Sequence, residues 1–219
     1  MASGRKEVRS SIETADDMTA GVVRLKRVCA GMAAAHALVG DPPLRRWSPG
    51  FEGLVRIVVG QQLSTASANA IHGRLVLAVV PLTAEMLLAA DPAILKSAGL
   101  SAAKIATLRA LARAVVDRQL DFDALALATP DAVREQLTAV RGIGPWTSDI
   151  YLMFCRGDGD AFAPGDLALQ IAAQRLLKLN ERPTPAELLA IAERWRPWRG
   201  IAARMLWAYY GHVKSLPPG

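Results

Sequence analysis

The chain has 219 residues, 52% of them apolar, and 26 Lys and Arg against 20 Asp and Glu, a net charge of +6. That size and composition exclude a disordered chain and suffice for one large domain or two small lobes. No apolar run reaches the ~18–20 residues of a membrane span, and the opening "MASGRKEVRSS" lacks the apolar core of a secretory signal. A cytoplasmic protein with no membrane partner is therefore expected. The basic balance, with a pI near 9.7, suits a polyanionic partner, since a basic surface gains affinity by releasing counterions from phosphates.

In chain order, residues 1–13 are polar and are expected to form a disordered N-terminus, with residues 14–219 as a helical domain. "FEGLVRIVVGQQLSTASANAIHGRL" reads as a buried helix, a break near Gly60 to Ser64, and a further helix. In "SAAKIATLRALARAVVDRQ" the residues Ile105, Leu108, Leu111, Ala112 and Val115 fall at helical spacing, and Arg109 and Arg113 lie one turn apart on a face expected to be solvated. "TPDAVREQL" offers Thr129 as N-cap, Pro130 at the first helical position and Asp131 at the positive end of the dipole. "TPAELLAIAERW" carries a capping box, Thr184 with Glu187, and Pro197 interrupts that helix before another begins. Ala and Leu dominate and no stretch alternates with period two. The fold class is all-α, a bundle of two packed lobes.

Cys29 and Cys155 are the only cysteines, too few for a four-thiolate iron–sulfur cluster or a cysteine zinc site. They are expected as buried, reduced thiols. His36, His72 and His212 are scattered and receive no chemical role.

The stretch "LTAVRGIGPWTSDIYLMF" sets two glycines and a proline inside a helical pattern. A helix from about Pro130 ends near Val140–Arg141. Gly142 can take the left-handed conformation that terminates it, and Gly144 suits the next N-cap, with Pro145 at the first position. Such a hairpin is either a plain αα-corner or a phosphate site, because it exposes backbone N–H groups at a helix N-terminus with no side chain in the way. Further on, "DAFAPGDLALQ" delivers one acid, Asp166, to the start of an apolar helix. An N-cap position keeps that carboxylate ionised, so a structural and a chemical role are compatible.

"VRGIGPWTSDIYLMF" followed by "FAPGDLALQ" resembles the helix-hairpin-helix Gly-Pro-Asp (HhH-GPD) signature of the DNA glycosylases. "FEGLVRIVVGQQLSTASA" and "RWRPWRGIAARMLWAYYG" narrow the resemblance to the 3-methyladenine DNA glycosylase II family. It runs over roughly residues 43–211. The resemblance implies two helical subdomains with a cleft between them, without the N-terminal α/β domain that some members carry.

The implied activity is monofunctional excision of alkylated purines from double-stranded DNA in base excision repair, leaving an abasic site. The resemblance makes Asp166 the catalytic acid, in preference to Asp149, Asp158 or Asp160. It places Trp146 and Trp198 around the flipped base, with Tyr151 as a further wall. Strand-cutting relatives carry a lysine where this chain has Trp146, so no lyase chemistry is expected. "GQQLS" resembles a wedge loop, with Gln62 or Leu63 filling the gap left by the base. Gly142, Gly144 and the Thr147 hydroxyl would grip a backbone phosphate. The main-chain carbonyls of Thr138, Val140 and Ile143 would hold a structural Na+ or K+ with no catalytic part. No cofactor is required and no iron–sulfur cluster is expected. A monomer acting at the bacterial nucleoid is the implied state. Two other readings remain open, a helix-hairpin-helix DNA-binding module without catalysis, and a mismatch or oxidised-base glycosylase. The lesion spectrum within the alkylpurines is also open, hypoxanthine and ethenoadenine included.

Overall fold

The computed structural model describes residues 11–215. Among them there is no β-strand; the nearest feature is a single antiparallel bridge between Ser11 and Asp158. No helix is long and apolar enough to cross a membrane. The all-α expectation therefore holds, and the helices fall into two compact units.

The central unit is the continuous stretch 47–156. It contains α1 (Phe51–Gly60), α2 (Thr65–Ala78), α3 (Ala84–Ala89), α4 (Pro92–Ser97), α5 (Ala102–Val116), α6 (Phe122–Leu127), α7 (Pro130–Thr138) and α8 (Pro145–Tyr151), which runs on as a π-helical turn, Leu152–Arg156. Helix α1 forms the interior, with Leu54, Val55, Ile57, Val58 and Val59 all buried. It packs against α2, α5 and α8. The break anticipated between Gly60 and Ser64 separates α1 from α2, and Ser64 caps α2 by accepting from the Ser67 N–H. Gly53 allows a close approach in this core: a Cβ there would stand 2.1 Å from the Ser48 carbonyl oxygen and 2.8 Å from Cys155 Sγ.

The terminal unit joins residues 11–46 to 157–215. It contains α9 (Ala15–Val28), α10 (Ala30–Val39), α11 (Leu167–Leu176), α12 (Pro185–Ala192), a 3-10 turn (Glu193–Trp195) and α13 (Arg199–Ser215). Helix α13 is its core: every residue from Arg199 to Leu206 is buried, and α9, α10 and α11 pack on it. The capping box predicted at Thr184 and Glu187 forms, and Thr14 with Asp17 makes a second one at the start of α9.

Two expectations need correction. Residues 1–10 lie outside the described chain, but 11–13 are ordered: Ile12 is fully buried and its N–H donates to the Gly157 carbonyl at 2.8 Å. Its apolar side chain outweighs the polar residues around it. Arg109 is half-buried rather than solvated, and its Nη2 donates to the Ala90 carbonyl at 2.6 Å. Both cysteines are buried, as expected.

Replacing Gly53 with alanine forces a methyl group against the backbone, so Gly53→Ala should cost about 1–3 kcal/mol. The check is a lower urea midpoint with an unchanged slope.

Candidate functional site

The hairpin lies wholly in the central unit. Helix α7 ends at Thr138, two or three residues earlier than the pattern indicated, and Ala139 is its C-cap. Gly142 takes φ +87°, and a Cβ on it would stand 2.0 Å from the Thr107 hydroxyl oxygen on α5. Gly144 is the N-cap of α8 and supplies no side chain, with Pro145 at the first helical position. Nothing lies within 4 Å of where a Gly144 Cβ would stand, so the approach to this end of the turn is open. The two arms are tied by Arg134 on α7, whose Nε donates to Asp149 on α8 at 2.7 Å. Asp149 is 5% exposed, so the guanidinium neutralises a buried carboxylate.

The loop between α1 and α2 is held to this hairpin by Gln61. Its Nε2 donates to the Thr147 hydroxyl at 2.9 Å and to the Gly142 carbonyl at 3.3 Å. From α5, Lys104 Nζ donates to the Val59 carbonyl at 2.7 Å, satisfying an acceptor at the end of α1. Burial holds the Lys104 ammonium below its ordinary range. Beyond Gln61 the loop turns outward. Gln62 has φ +56°, and Gln62 and Leu63 are both exposed.

Two side chains differ from their expected places. The Thr147 hydroxyl, expected on a phosphate, is buried at 2% exposure and engaged by Gln61. Tyr151, expected as a pocket wall, is also 2% exposed; its ring lies 6.1 Å from that of Phe122, and its hydroxyl accepts from the Gly50 N–H at 3.2 Å. Burial pushes that phenol above its ordinary value. The hydrophobic interior claims both residues because they lie on the inward face of α8. Trp146, on the same helix, is half-buried.

For the expected cation, the Val140 carbonyl accepts the Ile143 N–H at 3.0 Å, which uses one of its two lone pairs. Neutral oxygens of Thr138, Val140 and Ile143 are the donor type that suits an alkali ion.

In the terminal unit, the segment before α11 is fixed first. Ala161, Phe162 and Ala163 are buried, the Asp166 N–H donates to the Ala163 carbonyl at 3.0 Å, and Gln170 Nε2 donates to the Pro164 carbonyl at 3.0 Å. Asp166 is the N-cap of α11, and its Oδ1 accepts from the Leu169 N–H at 3.0 Å. The same oxygen accepts from Trp207 Nε1 at 3.1 Å. The sequence reading missed Trp207; the available signal is its indole N–H, which needs a partner when the ring is part-buried. Trp198 is half-buried at the start of α13, its ring 3.2 Å from where a Gly21 Cβ would stand on α9.

The competing acids serve structure. Asp158 Oδ1 accepts from the N–H groups of Asp160 and Ala161 at 2.8 and 3.0 Å. Asp160 is bound by Arg199 through Nε and Nη2, both at 2.9 Å, and by Arg196, while Glu193 bridges the same two arginines. Among the described residues no group of His, Cys, Asp and Glu is arranged to hold a metal ion.

A family model described as "HhH-GPD superfamily base excision DNA repair protein" matches residues 55–197. The "Probable bifunctional transcriptional activator/DNA repair enzyme AlkA" of Mycobacterium tuberculosis is 34% identical over 216 residues, covering 85% of this chain. The chain spans only 41% of that relative's length. "DNA-3-methyladenine glycosylase 1" of Schizosaccharomyces pombe is 32% identical, over 72% of this chain and 71% of that protein. A solved structure of the S. pombe 3-methyladenine DNA glycosylase Mag1 in complex with abasic DNA superposes with a TM-score of 0.79 and 27% identity, covering 86% of this chain and 95% of that one.

Gln61→Met keeps the length of the side chain and removes the donor to two acceptors. It should cost about 1–3 kcal/mol, read as a lower urea midpoint.

Proposed function

Since the chain belongs to the HhH-GPD superfamily of base excision DNA repair proteins, in its 3-methyladenine glycosylase family, we propose that it is a monofunctional DNA glycosylase that removes alkylated purines and leaves an abasic site. The observation that carries this reading is Asp166. Its Oδ1 is fixed at a helix N-terminus by the Leu169 amide and the Trp207 indole, at the position that the family signature gives the catalytic acid.

The chemistry asks little of the protein. A purine alkylated at N3 or N7 is cationic and leaves readily. As the N-glycosidic bond breaks, its electron pair goes to the departing base and C1′ becomes oxocarbenium-like. The Asp166 carboxylate stabilises that charge and orients water, which adds to C1′ and gives up its proton. The Leu169 amide and the Trp207 indole both donate to Oδ1, which fixes the rotamer. The base must leave the duplex to be reached. Half-buried Trp146 and Trp198 are read as aromatic faces for a cationic base, each contact worth about 0.5–2 kcal/mol.

The hairpin amides around Gly142 and Gly144 are read as the backbone grip, supported by the open space beside Gly144. Gln62 or Leu63 is read as the wedge, supported by their exposure on a loop that Gln61 anchors. The carbonyls of Thr138, Val140 and Ile143 would hold Na+ or K+ and steady the turn, with no part in bond breaking. Trp146 offers no amine for a Schiff base, which supports glycosylase action without strand cleavage. A monomeric state in the cytoplasm accords with this reading.

Duplex DNA containing 7-methylguanine or 3-methyladenine should release free base. Asp166→Asn should lower the single-turnover rate by about 100-fold or more. No release by the wild type refutes the function, and equal release by the variant refutes the assignment of Asp166. Strands should stay intact until alkali is added; a nick without alkali overturns the monofunctional reading.

A further inference from the structure

The central unit carries a recess of about 280 Å³, of whose lining the proposed function uses only the Val140 carbonyl. Arg113 and Gln119 contribute from the end of α5, and Gln136, Ala139, Val140 and Arg141 from the end of α7 and the turn after it. No carboxylate lines it. Neither guanidinium has a hydrogen bond or ion pair among the described residues, whereas Arg134, Arg156, Arg196 and Arg199 are all engaged. Two unpaired cations sharing one recess repel each other, and ten guanidinium N–H donors face solvent with two carboxamides beside them. Each arginine sits near a helix C-terminus, where the macrodipole favours a cation and holds it in place without a ligand. The arrangement suits a multivalent anion with oxygen acceptors.

We infer that this recess is a second backbone subsite for DNA, in which Arg113 and Arg141 bind phosphates flanking the one held at the hairpin. The inference rests on the DNA-glycosylase reading above. Arg141 is part of the hairpin turn itself, so a strand seated on that turn brings further phosphates past the recess, one per about 3.4 Å of helix axis on each strand. Arginine is the residue suited to such oxygens, since its planar fork binds phosphate through two parallel donors. Gln119 and Gln136 add neutral donors without charge repulsion from the solvent side.

The test measures the affinity of the whole chain for a duplex with a tetrahydrofuran abasic analogue across a salt series, by fluorescence anisotropy. Arg113→Gln with Arg141→Gln should weaken binding roughly ten- to hundredfold. It should also flatten the plot of log K against log salt by about 1.8, or 0.9 per lost phosphate contact. The charge-matched control, Arg24→Gln with Arg27→Gln on α9, should leave the slope unchanged. Base release at saturating DNA should keep its rate in the recess variant, with only KM raised. An unchanged slope in the recess variant, beside normal wild-type binding and base release, overturns the subsite alone. Equal flattening in both double variants also overturns it, since the effect would then be net charge. A wild-type chain that does not bind the duplex overturns the subsite and the proposed function together.

Discussion

At Gly142 the backbone turns at φ +87° and passes so close to α5 that a Cβ would meet the Thr107 hydroxyl. Only glycine meets both demands, the left-handed conformation and the missing side chain. That contact sets where the arms of the hairpin sit. Arg134 and Asp149 then lock α7 to α8, and Gln61 fastens the loop after α1 to the same turn. Because α5 also reaches the end of α1 through Lys104, four helices meet around one unsubstituted backbone position. The outward residues Gln62, Leu63 and Arg141 inherit their places from this frame.

The terminal unit solves a different problem, how to hold one carboxylate rigid at the start of a helix. A capping aspartate costs nothing extra, because α11 needs an acceptor at its first turn in any case. The Trp207 indole adds a second donor to the same oxygen. Positive charge nearby is absorbed by Asp160, which binds Arg199 and Arg196 and so takes the role of structural acid. Asp158 shapes the turn that leads there. Three acids of similar local sequence thus divide into separate tasks according to which donors surround them.

Features set by local stereochemistry were legible in the sequence. Thr129, Pro130, Gly142, Gly144, Pro145, Thr184 and Glu187 all occupy the cap and turn positions their chemistry suggests. Asp166 was legible as an N-cap for the same reason. What the sequence did not disclose depends on contacts between distant segments. Tyr151 and Thr147 face inward because α8 packs on α1, and a seven-residue helix is too short to announce its buried face. Trp207 meets an acid on another helix, and Gln61 reaches a turn far along the chain, so neither contact leaves a local signature. Ile12 is buried by a bond to Gly157, although its sequence neighbours are polar.

The terminal unit is interrupted: the chain leaves it after Arg46 and returns at Gly157. Helices α9 and α10 pack on each other and on α13, so their packing is complete only when the last described helix has been made. The central unit has no such dependence, since it is one continuous stretch, and short-range topology folds fastest. At about 5–20 residues per second, synthesis leaves on the order of 10–30 s between α10 and α13, in which the whole central unit is made. The hairpin frame needs only the middle of the chain, whereas the unit that holds Asp166 needs both flanks, α13 included. Order of synthesis makes the acid's unit the last to have all its parts.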